Sequence, residues 1–156
     1  MPWEWTATPR CRTGLVNLAD PRVERMNTTT ADPGLAVTTT LVRGCLIVTF
    51  PTEIAGGLER AQSIALDSVQ RAAARATVLE LSAVKFMDRT EFQGLRTLSG
   101  MLSLLGARCI IVGLRPGVVA WLIGNDVIVD GLEFGHDLES ALERLGLVEN
   151  GPESDP

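Results

Sequence analysis

The sequence predicts an α/β fold, a single domain in which a central mixed β-sheet is flanked by helices. Apolar runs typical of buried strands alternate with segments whose apolar residues repeat at helical spacing. The run Cys109–Val112 is apolar throughout, which is typical of a strand covered on both faces. A chain of 156 residues, 46% of them hydrophobic, can bury one substantial core but is too short for two ordinary domains.

The predicted elements follow one another from Leu35 to about residue 146. Two β-rich runs, Leu35–Val42 and Cys45–Phe50, are separated by Arg43-Gly44 and predict a hairpin. The pattern then predicts a helix over Leu58–Ala76, a strand over Thr77–Leu81, a helix over Thr90–Leu105, a strand over Arg108–Val112, a helix over Pro116–Ile123, a short strand over Gly131–Phe134 and a helix over Asp137–Leu145.

Particular residues mark the helix ends. Pro116 suits the first position of a helix because its missing N–H costs little there. Gly106 is typical of a helix stop, and Asp137 is expected to cap the last helix.

The two termini are predicted to lie outside the domain. Residues 1–34 carry several prolines and a threonine tract without a sustained apolar period, so we expect a flexible extension. Trp3 and Trp5 are interpreted as an isolated aromatic pair in that extension rather than a docking motif. Residues 147–156 are expected to form a disordered, acidic C-terminal tail.

Composition excludes several classes of function. A net charge of −5 disfavours general binding to nucleic-acid phosphates. The longest apolar run, Val118–Ile123, is far shorter than a bilayer-spanning helix, and no secretory leader is visible. We therefore expect no direct binding to nucleic acid or membrane, and a cytoplasmic protein by default.

Cysteine and histidine are too sparse for a disulfide framework or a zinc site. Cys45 and Cys109 lie in predicted strands and are interpreted as small buried apolar residues, whereas Cys11 falls in the N-terminal extension. The single histidine, His136, has no acid, base or metal partner at a diagnostic spacing. Glycine-rich phosphate loops, dinucleotide fingerprints and nucleophile elbows are also missing, so no cofactor and no enzymatic activity are predicted.

The turn Phe86–Leu95, between a predicted strand and a predicted helix, carries the most information. Thr90 with Gln93 forms a capping-box pattern, and Asp88 with Glu91 forms a second one in another register. A helix start also favours a phosphoryl group, because it presents unpaired N–H groups and partial positive charge. From the residues alone, a structural cap at Thr90 is favoured over a phosphorylation site. The carboxylates of Asp88 and Glu91 are interpreted as complements of the helix dipole rather than a catalytic pair.

The region from about Leu35 to Leu145 resembles a STAS domain, the fold of anti-sigma-factor antagonists and stressosome proteins. The resemblance depends on Val78–Leu81 before Phe86–Asp88, on Leu104–Arg108, and on Ile111–Pro116, which looks most like the stressosome branch. In that family a Ser or Thr one or two positions after the aspartate is phosphorylated by a partner kinase, and partner binding is then lost or altered. The resemblance implies that Asp88 is that aspartate and Thr90 the acceptor.

Three residues depart from the family pattern. Arg89 stands where the stressosome branch usually has its hydroxyl residue, Thr90 replaces the commoner serine, and Glu91 replaces a frequent glycine. Glu91 would repel an incoming phosphate, whereas Arg89 could offset that repulsion. A STAS domain that has lost phosphorylation and kept its binding surface is therefore an alternative.

The predicted function is a non-enzymatic regulatory module that binds an anti-sigma factor or serine/threonine kinase of the anti-sigma class, or other STAS proteins. The expected partner-binding residues are Met87, Asp88, Arg89, Thr90, Glu91, Phe92 and Leu95. A second hypothesis is a sensor of small anions or nucleotides, bound by Lys85, Arg89 and Arg115. A third is an unphosphorylated structural subunit of a STAS assembly.

Overall fold

The computed structural model describes residues 37–54 and 56–148. Five strands form one sheet in the order β1-β2-β3-β4-β5. The first pair is antiparallel, and the other neighbours are parallel. The predicted mixed sheet is confirmed, and so is the hairpin at its edge. The elements are β1 Thr38–Val42, β2 Cys45–Thr49, α1 Leu58–Ala72, β3 Ala76–Glu80, α2 Arg89–Leu104, β4 Arg108–Val112, α3 Pro116–Gly124, β5 Phe134–Gly135 and α4 Leu138–Arg144.

Alternate residues of the central strands face two separate apolar layers. On one face, Leu79 and Ile111 pack in a cluster that includes the buried sides of α1, α2 and α3. On the other face, Val78 and Ile110 pack with Ala141 of α4. The central strands are therefore covered on both sides, as the apolar sequence of β4 predicts.

Because β2, β3 and β4 run parallel, their carboxyl ends lie at the same edge of the sheet. Main-chain hydrogen bonds continue just past the strands there, from Phe50 to the Glu80 carbonyl and from Leu81 to the Val112 carbonyl. We call this the carboxyl edge. The helices α2 and α3 both begin from loops at this edge, so the sheet sets the spacing of their N-termini.

The end of α1 differs from the sequence prediction. The helix stops at Ala72 rather than at Ala76, and Ala73 takes a left-handed conformation with φ 48°. Sheet pairing explains the early stop, because the Arg75 N–H bonds to the Gly44 carbonyl and the Arg75 carbonyl accepts from Arg108. These sheet hydrogen bonds between distant residues outweigh the helix propensity of the alanines at the end of the predicted helix.

Glu133 fixes β5 and α4 to the rest of the sheet. Its carboxylate accepts hydrogen bonds from Arg108, at 2.9 Å from Nε and 2.5 Å from Nη2, and from Arg144 at 2.5 Å. Arg144 also donates to the Phe134 carbonyl at 2.6 Å. The predicted strand over residues 131–134 is displaced to Phe134–Gly135, where these bonds hold it.

The last helix begins as predicted, with Asp137 as its N-cap. The Asp137 carboxylate accepts from the Ser140 N–H at 2.8 Å. Hydrogen bonds from the Ser140 hydroxyl and N–H lower the pKa of Asp137 to about 2. Leu147 packs beside α4 and its carbonyl accepts from Arg43, so the domain continues past the expected boundary at residue 146. Residues 1–34 and the end of the predicted tail lie outside the described residues.

Gly94 allows α1 and α2 to pack closely. A Cβ at position 94 would collide with the Leu58 side chain, whereas a Cβ at Gly100 on the same helix would meet nothing within 4 Å. The Gly94 carbonyl also accepts from Gln62 at 2.8 Å. The two glycines of α2 therefore have opposite roles, one needed for packing and one not.

We expect Gly94→Ala to lower the free energy of unfolding, because the clash with Leu58 outweighs the gain in helix propensity. Gly100→Ala is the matched control and should raise it by about 0.5–1 kcal/mol, the usual gain at an unhindered helix position. Urea unfolding of both variants measures the difference. Equal stabilisation by both substitutions would contradict the close packing at Gly94.

We expect Glu133→Gln to lower the free energy of unfolding near neutral pH. We also expect the free energy of unfolding of the variant to change less as the pH falls. The hydrogen bond from Arg108 holds the pKa of Glu133 below its ordinary 4.5. The ionised Glu133 carboxylate therefore contributes its full stabilisation of the folded state above the ordinary pKa. This stabilisation is lost as the pH falls through the lowered pKa of the folded state. When unfolding is measured across this pH range, the free energies of unfolding of the native protein and the variant should become equal in acid. Glu143→Gln, at an exposed carboxylate of α4, is the matched control and should leave the free energy of unfolding near neutral pH unchanged.

Candidate functional site

The loop between β3 and α2 is anchored by three buried side chains. Leu81, Val84 and Met87 are each 1% exposed. The Val84 N–H bonds to the Leu81 carbonyl at 2.9 Å, and the Lys85 N–H to the Thr52 carbonyl at 3.3 Å. The backbone leading to the helix is therefore held against the core, and the side chains between the anchors face solvent.

Asp88, not Thr90, caps α2. The Asp88 carboxylate accepts from the Glu91 N–H at 2.7 Å, and the Glu91 carboxylate accepts from the Asp88 N–H at 2.8 Å. Of the two capping-box registers left open by the sequence, the structure forms the Asp88–Glu91 one. The favoured interpretation of Thr90 as a structural cap is wrong, because the helix begins at Arg89 and Thr90 already lies inside its first turn.

Thr90 presents its hydroxyl to solvent. The residue is exposed, and its side chain makes no hydrogen bond with any residue that the structure describes. The N–H groups of Arg89 and Thr90 likewise have no partner in the described part of the chain, since Asp88 takes the N–H of Glu91. An accessible hydroxyl therefore lies beside unpaired donors at the positive end of a helix.

The expected partner-binding set divides into exposed and buried residues. Asp88, Arg89 and Thr90 are exposed, and Glu91 is partly so. Three other residues of the set cannot contact a partner while the domain is folded: Met87 and Phe92 are 1% exposed, and Leu95 is 0% exposed. They were expected at the surface because they flank Thr90 in sequence, but helical spacing turns Phe92 and Leu95 toward the sheet.

The exposed apolar residue beside this turn is Phe86, which sequence reasoning did not single out. It is 63% exposed, and its ring meets that of Trp121 edge-on, with the centroids 6.1 Å apart. The sequence signal for it is the three-residue spacing of the apolar residues Leu81, Val84 and Met87, which point inward and leave Phe86 outside the buried set. Phe86 joins the start of α2 to α3 in one continuous surface.

Two of the three cations of the anion-binding hypothesis bond to main-chain carbonyls of neighbouring loops, and the third lines a cleft. Arg89 donates to the Asn125 carbonyl at 2.5 Å, and Arg115 donates from Nε to the Ser82 carbonyl at 2.8 Å. Lys85 lines a shallow cleft of about 230 Å³, whose wall also includes the carboxylates of Glu53 and Glu91. The described residues do not combine the three cations into one site, and the cleft has mixed charge.

Gly113 lets the loop before α3 approach the loop after β3. It has φ 77°, and a Cβ there would lie 2.8 Å from the Ser82 nitrogen. The adjoining hydrogen bond from Arg115 to Ser82 connects the same two loops. The motif Gly113–Pro116 therefore has a geometric role at the carboxyl edge, as spacer and connection between loops.

The remaining titratable residues form no further site in the described ranges. No group of three His, Cys, Asp or Glu side chains there could hold a metal ion. Cys45 and Cys109 are buried, as predicted, and burial raises the pKa of each thiol to about 11. His136 is exposed beside Asp137, 3.3 Å away. Within the same ranges, none of the helices has the length and apolarity needed to cross a bilayer.

Comparison with solved structures identifies the fold. No protein-family model matches the chain, and no curated protein sequence matches it significantly. A serine-to-glutamate variant of RsbS from Moorella thermoacetica superposes with a TM-score of 0.62 at 20% identity, over 70% of this chain and 94% of that one. The unphosphorylated form of SpoIIAA, an anti-sigma factor antagonist, superposes with a TM-score of 0.56 at 16% identity, over 72% of this chain and 100% of that one. The chain has a STAS fold.

A stressosome structure supports the same assignment. It matches with a TM-score of 0.61 at 19% identity, over 69% of this chain and 95% of that one, and is described as a signal integration and transduction hub. The shared feature is the mixed sheet with its flanking helices. At these identities the likeness concerns the STAS fold, and the role of each residue depends on the geometry given above.

We expect Asp88→Ala to lower the free energy of unfolding by about 1 kcal/mol, because it removes the acceptor for the Glu91 N–H. Thr90→Ala is the matched control two residues away and should be nearly neutral, since Thr90 caps nothing. Urea unfolding of the two variants distinguishes the registers. A larger loss for Thr90→Ala than for Asp88→Ala would contradict the observed cap.

Proposed function

We propose that this STAS-fold chain is a non-enzymatic regulatory protein of the bacterial anti-sigma-factor antagonist or stressosome type. Its working surface comprises Phe86, Asp88, Arg89, Thr90 and Glu91. The observation that carries the proposal is the exposed, unbonded hydroxyl of Thr90 in the first turn of a firmly anchored helix. A rigid support with one accessible acceptor is what a charge-based switch requires.

Phosphorylation of Thr90 would change the charge of this surface. A phosphoryl group adds roughly −1.5 to −2 charges near neutral pH. The unpaired N–H groups at the helix start and the guanidinium of Arg89 favour that charge, whereas the carboxylates of Asp88 and Glu91 oppose it. The modified surface would be strongly negative, and a partner fitted to the unmodified surface would lose affinity.

The proposed partner is an anti-sigma factor or serine/threonine kinase of the anti-sigma class, or another STAS protein. Two observations support a macromolecular partner over a small ligand. The surface has an exposed aromatic residue, Phe86, next to charged side chains, which is a common composition of binding surfaces. In addition, the cleft that Lys85 lines includes neither Arg89 nor Arg115 and has two glutamates in its wall, which disfavours the anion or nucleotide sensor.

A cytoplasmic location is part of the proposal. The buried thiols of Cys45 and Cys109 are not in a disulfide, which suits a reducing compartment. The proposed partners act on transcription and would be found in the same compartment.

Mass spectrometry of the intact protein from its own cells tests the switch. We expect a phosphate localised to Thr90 in either resting or stressed cells, and its loss in Thr90→Ala. We also expect Thr90→Glu to weaken the complex with the partner kinase or anti-sigma factor in calorimetric titration. Thr97→Glu, at another exposed threonine of α2, is the matched control and should bind normally. Absence of the phosphate under both conditions, with unchanged binding by Thr90→Glu, would refute the proposal.

A further inference from the structure

Arginines line the end of the sheet at which β2, β3 and β4 begin. This end lies opposite the carboxyl edge, and we call it the amino edge. Arg43 lies in the hairpin turn before β2, Arg75 directly precedes β3, and Arg108 begins β4. The Arg75 N–H donates to the Gly44 carbonyl at 3.1 Å, and the Arg108 N–H donates to the Arg75 carbonyl at 2.9 Å. These bonds fix the order of the three exposed residues, which we call the arginine row.

The arginine row has more positive charge than the nearby carboxylates neutralise. Glu133 pairs with Arg108 and at the same time with Arg144 at the end of α4. Glu143 is exposed beside Arg144 in the last turn of that helix. The row and Arg144 make four arginines against these two glutamates, which leaves an excess of two positive charges on a chain of net charge −5. The side chain of Arg75 has no bond in the described part of the chain.

The described part of the chain ends beside the arginine row. Arg43 donates from Nη1 to the Leu147 carbonyl at 2.7 Å. Leu147 packs against the apolar cluster that contains Cys45 and Ala76, the first residues of β2 and β3. Residues 149–156, which lie outside the described residues, carry three carboxylates and no positive side chain. This acidic segment begins two residues after the carbonyl that Arg43 binds.

We propose that the acidic segment, residues 149–156, binds across the arginine row of its own chain. Eight extended residues reach about 26–29 Å, whereas the row crosses two strand spacings of about 5 Å each. A short tether gives the carboxylates an effective concentration in the millimolar range, which a separate acidic molecule reaches only when it is abundant. The segment has no apolar side chain other than proline, so charge is the property that attracts it to the row.

The contact would lower the positive charge of the amino edge. Exposed ion pairs are individually weak and are screened by salt, so the segment binds at low ionic strength and dissociates at high ionic strength. While it is bound, the segment competes with other polyanions for the arginines. The contact goes beyond the proposed function, because it concerns the edge of the sheet opposite Thr90 and requires no phosphorylation.

Nuclear magnetic resonance of the 15N-labelled full chain tests the contact at the arginine side chains. The acidic segment is neutralised by three substitutions: Glu149→Gln, Glu153→Gln and Asp155→Asn. At about 10 mM salt we expect the Nε–Hε signals of Arg43 and Arg75 to differ between the native protein and the neutralised variant. At about 1 M salt the difference should disappear, because the Debye length is then only about 3 Å. The signal of Arg115, at the carboxyl edge, should be the same in both proteins.

A heparin oligosaccharide is a polyanion probe for the uncovered amino edge. We expect the neutralised variant to bind the probe at least about 10-fold more tightly than the native protein at low salt, because the competing carboxylates are removed. The matched control removes the same number of exposed carboxylates elsewhere, with the substitutions Glu53→Gln, Asp126→Asn and Asp130→Asn. The control variant should change the affinity less than about 2-fold.

Three results would overturn the proposal. Unchanged signals of Arg43 and Arg75 in the neutralised variant would mean that the acidic segment does not bind the row. An equal gain in heparin affinity for both triple variants would mean that net charge alone controls polyanion binding. Signals of Arg43 and Arg75 that depend on protein concentration would mean that the segment of a second copy occupies the row instead.

Discussion

The parallel alignment of β2, β3 and β4 is the constraint on which the rest of the molecule depends. Parallel strands need a covered crossover between them, and each crossover here supplies a helix that starts at the carboxyl edge. Apolar layers on both faces make this register costly to shift, since one step would exchange the two faces of each strand. The loops of the candidate site are therefore positioned by buried side chains that never contact a partner.

Much of this framework was predictable because it depends on periodicity. β4 has the predicted bounds, and the starts of α1 and α3 were also correct. The end of α1 was missed because the backbone of Arg75 forms sheet hydrogen bonds with residues distant in sequence. Local helix propensity contains no information about such bonds. The short β5 was displaced for a similar reason, since its position depends on the ion pairs of Glu133.

The candidate site shows where sequence reasoning stops. The pattern identified the turn but offered two capping registers, and only the backbone at Asp88 decides between them. Proximity in sequence placed Phe92 beside Thr90 on one surface, whereas the helix directs the two residues to opposite sides. Function within a shared fold depends on such residue-level geometry, because a STAS sheet can present many different surfaces.

Arg89 links the first turn of α2 to the loop after α3. It lies next to Thr90 in the first turn of α2, and its guanidinium holds the carbonyl of Asn125 in the loop after α3. A phosphate on Thr90 would offer that guanidinium a stronger acceptor than a carbonyl. The loop carrying Asp126 would then lose one of its supports. Modification of Thr90 and the conformation of the loop after α3 would therefore be thermodynamically coupled, each changing the free energy of the other by the same amount.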